Sequence, residues 1–184
     1  DGVADLVTAN FVSDDVSVLL GNGDGTFASG QNYGTGGPWL VAIGDLDGDG
    51  VSDLVTADSI FNDVSVLMGN GDGTFASAQA YGVGNDPRSV AIGDVDGDLV
   101  TANRFSDDVS VLLGNGDGTF ASAQAYGAGE SPWSVGIGDL DGDGATDLAT
   151  ANILSDYVSV LLGNGDGSFE TSLELPTGLS PSSV

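Results

Sequence analysis

The segment "VSVLLGNGDGTF" at 16–27 returns as "VSVLMGNGDGTF" at 64–75, "VSVLLGNGDGTF" at 109–120 and "VSVLLGNGDGSF" at 158–169. Recurrence at about 48 residues makes one supersecondary unit the building block of the chain, because stacked repeats bury together what a single copy cannot. In "DVSVLLG" the residues Val16, Val18 and Leu20 fall on one face of a strand and Ser17 and Leu19 on the other. That period of two predicts a sheet packed mainly on one side. The "GNGDGT" that follows carries the Gly, Asn and Asp residues that tight hairpins need for positive backbone angles, and reads as a reverse turn with loose cation binding as an added role.

Working outward, each unit reads as four short strands, typified by "SVAIGDL", "DLVTA", "VSVLL" and "TFASAQAY", each bounded by Gly, Asp or Asn. No helix is predicted. Four strands in meander order form an antiparallel blade, so the expected fold class is all-β: four tandem blades in a propeller-like array, open or completed by a neighbouring chain. The approximate units are 1–38, 39–87, 88–132 and 133–184, within one repeat domain.

The segment "GDLDGDGVSDLVTAD", Gly44 to Asp58, concentrates carboxylates ahead of an apolar run. The chain carries 28 acidic residues against Arg88 and Arg104, a formal charge of −26, with no lysine and no histidine. Such self-repulsion calls for counter-charge from outside, either bound cations or salt, and makes nucleic acid and anionic membranes poor partners. Apart from Glu130, Glu170 and Glu174 every acid is aspartate, the shorter side chain suited to loops that fold around an ion.

Asp45, Asp47, Asp49 and Asp53 place side-chain oxygens at loop positions 1, 3, 5 and 9, with Gly50 at position 6 and the Val51 carbonyl at position 7. Asp139, Asp141, Asp143, Ala145 and Asp147 repeat the arrangement. Calcium accepts six to eight oxygens in loose geometry, whereas magnesium demands a tighter octahedron, so Ca2+ is the expected ion. The competing reading is a turn with solvated charges, but a turn does not need a carboxylate at every second position. Position 12 is Thr56 or Thr150 rather than glutamate, and the flanks are β-rich, so a helical calcium hand is not expected. Two copies are incomplete. The third, "GDVDGDLVTAN", aligns Asp94, Asp96 and Asp98 with positions 1, 3 and 5 and lacks a ninth-position ligand; in the first, Asp1 and Asp5 match positions 5 and 9.

The combination "AIGDLDGDGVSDLVTAD … VSVLLGNGDGTF" resembles the FG-GAP repeat family, in particular its bacterial VCBS-type form, over essentially the whole chain. The resemblance implies antiparallel blades like those of the integrin α-subunit propeller. It also implies calcium in the loops between strands, and extracellular or surface-attached proteins concerned with adhesion or carbohydrate binding. Propellers of that family have about seven blades rather than four, and the terminal "LSPSSV" aligns with "DPRSV" and "SPWSV", the entry to a first strand. The expectation is therefore ring closure through that segment, or head-to-tail association of copies into a fibre or surface layer.

Function then divides into three classes. The leading one is a non-catalytic, calcium-binding extracellular module with a structural or adhesive role, with itself or extracellular glycans and proteins as partners. The second is a lectin-like module or a piece of a larger adhesin: Trp39 and Trp133 occupy matching places in "GPWLV" and "SPWSV", where an exposed indole can stack on a sugar or simply pack. The third, an enzyme with paired carboxylates, is disfavoured, since no pair is singled out from the repeats. The absence of cysteine removes disulfides and thiolate sites, the missing lysine excludes a phosphate loop, and no nine-residue period marks a calcium β-roll. No apolar stretch is long enough to span a membrane and no signal-peptide pattern opens the chain, so the sequence reads as mature, processed or a fragment.

Overall fold

The computed structural model describes residues 2–93 and 97–184. The first sheet has three strands, β1 (Leu6–Asn10), β2 (Asp15–Leu19) and β3 (Gln31–Gly34). The second holds β4 (Pro38–Gly44), β5 (Asp53–Asp58), β6 (Asp63–Leu67) and β7 (Gln79–Gly82), and the third β8 (Pro87–Ile92), β9 (Leu99–Asn103), β10 (Asp108–Leu112) and β11 (Gln124–Gly127). The fourth holds β12 (Pro132–Gly138), β13 (Asp147–Asn152), β14 (Tyr157–Leu161) and β15 (Leu173–Pro176). Every pairing is antiparallel between chain neighbours, the meander expected from the repeat.

The fourth strand of each unit is shorter than "TFASAQAY" suggests. Only its last three residues, with the Gly82 that follows, pair as a strand, while Phe75 closes the preceding hairpin through an isolated bridge to Gly69. The intervening Ala76 amide bonds back to the Met68 carbonyl at 2.8 Å, which commits that stretch to the hairpin instead of the blade edge.

The sheets stack face to face in chain order, with β4 against β8 and β8 against β12 along one edge. The core is accordingly three layers between sheets. Val16 and Val18 meet Leu54 and Leu67 between the first and second sheets. Val55, Val64 and Val66 meet Leu99 and Leu112 between the second and third. Val100, Val109 and Val111 meet Leu148 and Leu161 between the third and fourth. Valines therefore face the following blade and leucines the preceding one. A blade packed mainly on one side, as the alternation alone suggests, does not describe the two inner sheets: in β5 and β9 every residue is buried, because a neighbour covers both faces.

Each interface is also pinned by an edge-to-face aromatic pair between the outer strand of one blade and the hairpin of the next. These are Tyr33 with Phe75, Tyr81 with Phe120, and Tyr126 with Phe169, at centroid distances of 5.6, 5.2 and 5.4 Å. The recurring tyrosines are thus blade-to-blade packing residues.

Candidate metal-binding loops

In an antiparallel meander the links from first to second strand and from third to fourth emerge at one end of a blade, and the remaining links at the other. The acidic loops and the "GNGDGT" hairpins therefore share one end of the stack. Alternating Gly residues let the acidic loop coil: Gly48 and Gly50 have φ of 75° and 84°, values an L side chain rarely adopts.

The loop is held by its own carboxylates accepting backbone N–H bonds. Asp45 accepts from Gly48 at 2.8 Å and, with its other oxygen, from Gly50 at 2.9 Å. Asp47 accepts from Asp49 at 3.1 Å and Asp49 from Val51 at 2.7 Å, each through Oδ1. The second full loop reproduces the pattern, with Asp139 accepting from Gly142 and Gly144, Asp141 from Asp143, and Asp143 from Ala145. Carboxylate oxygens of Asp45, Asp47 and Asp49 converge within 4.8 Å of one another, as do those of Asp139, Asp141 and Asp147. These donors are all hard oxygens, with no histidine or cysteine in the chain to offer a softer ligand, and the set fits calcium. The bonded backbone amides fix the carboxylates without neutralising them.

At position 9, Asp147 joins its cluster, whereas Asp53 is not among the three carboxylates that converge in the first loop. Asp53 is buried, and its two oxygens accept from Leu46 at 2.9 Å and from Gly69 at 2.7 Å, tying loop entry to the start of the hairpin. Burial pushes the Asp53 carboxyl up, these two bonds oppose that, and the charges of Asp47 and Asp49 add to the rise. Asp147 likewise accepts from Leu140 and Gly163. A Cβ at Gly69 would collide with the Ser52 carbonyl oxygen, so this contact needs glycine.

The incomplete loops are corrected by the same contact. Asp98 accepts from the Gly114 amide at 2.7 Å, sixteen residues ahead, as Asp5 does from Gly21 at 2.8 Å. Asp98 is therefore the ninth-position anchor, not position 5, and what the third repeat lacks is the stretch before it. Asp94 and Asp96, like Asp1, lie outside the described residues.

In the hairpins, Asp24, Asp72, Asp117 and Asp166 each accept from the hydroxyl and amide of the Thr or Ser two residues on, and those bonds, the hydroxyl first, hold their carboxyls below the usual range. They serve as turn formers.

Trp39 and Trp133 lie at the opposite end, at the entry to β4 and β12. The Arg88 guanidinium, at the matching place in β8, lies 4.0 Å from the Trp39 ring centroid and 5.1 Å from that of Trp133. Asp86 receives Arg88 at 2.8 Å and Arg104 at 3.7 Å. The Trp39 indole N–H donates to Ser59 at 2.9 Å, and Phe11 packs on its ring at 5.0 Å. Both indoles are thus packing partners of an arginine that sequence reading did not connect to them, although Trp39 stays 43% exposed.

Among known proteins, no curated sequence matches significantly. Solved structures share the fold at low identity. A candidate 6-phosphogluconolactonase from Bacteroides uniformis superposes with a TM-score of 0.74 at 19% identity, over 99% of this chain and 57% of that one. A protein from Lactobacillus plantarum gives 0.74 at 18%, over 92% and 51%. Hydrazine synthase from Kuenenia stuttgartiensis gives 0.59 at 17%, over 80% and 38%. The chain thus spans little more than half the length of these structures, or less. The model for FG-GAP-like repeats matches three times, at residues 1–56, 45–101 and 98–150. Each match takes in an acidic loop or its anchor together with the strands around it, and the chain belongs to the FG-GAP-like repeat family.

Proposed function

We propose that this chain is a non-catalytic, calcium-binding repeat module of an extracellular or cell-surface protein, with a structural or adhesive role. The observation that supports it most is the pair of loops in which three carboxylates converge within 4.8 Å while backbone amides hold them in place. Calcium there orders the loop between first and second strand and screens part of a charge of −26; the ion does no chemistry. Family membership supports a propeller-type module, and among the described residues no helix is long and apolar enough to cross a membrane. Packing of further blades, or of a second copy head to tail, onto the half-exposed outer face of the first sheet belongs to the same proposal. The lectin reading is less favoured, because Arg88 stacks against both indoles that would receive a sugar.

The test is thermal unfolding of the full chain in calcium, in magnesium and in chelator. Binding to the native state alone raises stability by RT ln(1 + [L]/Kd), about 2.7 kcal/mol at a hundredfold excess over Kd. A midpoint that rises with calcium, far less with magnesium, and returns on chelation is expected. Midpoints independent of calcium would remove the metal from the account.

A further inference from the structure

In three of the four blades an asparagine at the end of the second strand acts as a bridge. Asn103 donates from Nδ2 to Asp108 at 2.7 Å and to Ser110 at 2.9 Å. Asn10 donates to Asp15 at 2.8 Å and Ser17 at 2.7 Å, and Asn152 to the Tyr157 carbonyl at 3.2 Å and Ser159 at 2.9 Å. The second blade has Asp58 at this place, directly across the ladder from Asp63. Aspartate has the shape of asparagine but, when ionised, no hydrogen to give.

The consequence is visible in the bonding. Ser65 donates to Asp58 Oδ2 at 2.5 Å, and the Thr56 hydroxyl and Gly36 amide also favour the Asp58 carboxylate, but Oδ1 of Asp63 is buried without a hydrogen-bond partner. A Cβ on Gly36, in the link between first and second sheets, would lie 3.0 Å from the Asp58 Cβ and 3.2 Å from Asp63 Oδ1, so both residues lie against that link. An orphaned carboxylate oxygen across the ladder from a second buried carboxyl is a costly arrangement unless one of the pair becomes a donor.

We propose that Asp58 and Asp63 share one proton at mildly acidic pH, an O–H···O bond standing where the other blades have an amide N–H···O bond. The step is uptake of one proton from solvent by one carboxylate, which then donates to the other and leaves the pair with a single negative charge. Among the described residues no other source of positive charge is at hand. The first sheet contributes Asp14, whose charge further disfavours ionisation of Asp58, while turn 59–62, link 35–37 and β7 carry no ionisable carboxyl or basic group. Both arginines are engaged by Asp86. Burial, with the Asp58 charge adding to it, pushes Asp63 up to about 6, and burial raises Asp58 as well. Folded-state values above the ordinary 3.8 mean that this contribution to stability is complete below about pH 4 and is lost as pH rises through about 6.

The experiment follows aspartate carboxyl carbons by NMR from pH 3 to 8 in the full chain, in D58N and in D63N, with thermal unfolding alongside. In the wild type one carboxyl is expected to titrate near pH 6, a proton affinity raised roughly a hundredfold over an ordinary aspartate. That titration disappears in D58N, whose unfolding midpoint exceeds the wild type at pH 7.5 and converges with it near pH 4. D63N, which supplies the missing donor from the other side, shows the same loss and keeps the test usable should D58N not fold. The proposal is overturned if every carboxyl titrates below about pH 5. It is equally overturned if the upper midpoint moves with sodium or calcium concentration, since a cation would then hold the pair together.

Discussion

The pentapeptide LVTAN occurs twice, as β1 (Leu6–Asn10) and β9 (Leu99–Asn103), and the two copies pair with the identical strand DVSVL in the same register. Yet Leu99 is fully buried and Leu6 is 48% exposed. Local sequence and the pairing with DVSVL are the same, so the difference comes from the surroundings: β9 also pairs with β8 and lies between two sheets, whereas β1 is an edge strand whose outer face has no sheet against it. In a stacked repeat the strand is specified by its own residues and its stability by its neighbours.

Three pairs of substitutions sharpen that contrast. The largest effect is expected from L99A, a loss of about 2–5 kcal/mol in denaturant unfolding for a buried leucine, against less than about 1 kcal/mol for L6A. Equal losses would mean that the first sheet is covered in solution. Next, D98A removes the anchor to the Gly114 amide and is expected to cost about 1.5–3 kcal/mol, with D5A, whose carboxylate is exposed, costing less than about 1 kcal/mol. A cost for D98A no larger than for D5A would argue that the shortened loop does not need its anchor. N103D, which strips both donors from a buried bridge, is expected to cost about 1–3 kcal/mol at pH 7.5, with a penalty that shrinks on acidification. The smallest change is expected from N10D, where the same bonds are half-exposed. Chemical denaturation at pH 5 and pH 7.5 measures both, and a pH-independent loss in N103D would contradict the reading of the bridge.

Much of this was legible in the sequence, and the misses have physical causes. The repeat, the strand order and both complete loops follow from spacing and from the positive-angle demands of Gly and Asn. Tyr33, Tyr81 and Tyr126 announced themselves by recurring. Alternation along "DVSVLLG" shows which residues share a face but not whether the other face is also covered, which is why two-sided burial of β5 and β9 was invisible. Asp98 was misaligned because counting began at the loop entry; counting back sixteen residues from the glycine after each "VSVLL" or "VSVLM" places Asp5, Asp53, Asp98 and Asp147 in one column. The stack of Arg88 with Trp39 and Trp133 joins three blades, and no local pattern encodes a contact of that range. The change from Asn to Asp at position 58 was present in the repeat, but its meaning needed Asp63 opposite.

The most direct test of the central claim is a calorimetric calcium titration of the calcium-stripped full chain. The account predicts two bound ions per chain, one of which disappears in D47A and the other in D141A. Absence of binding, or a stoichiometry that neither substitution changes, would contradict it.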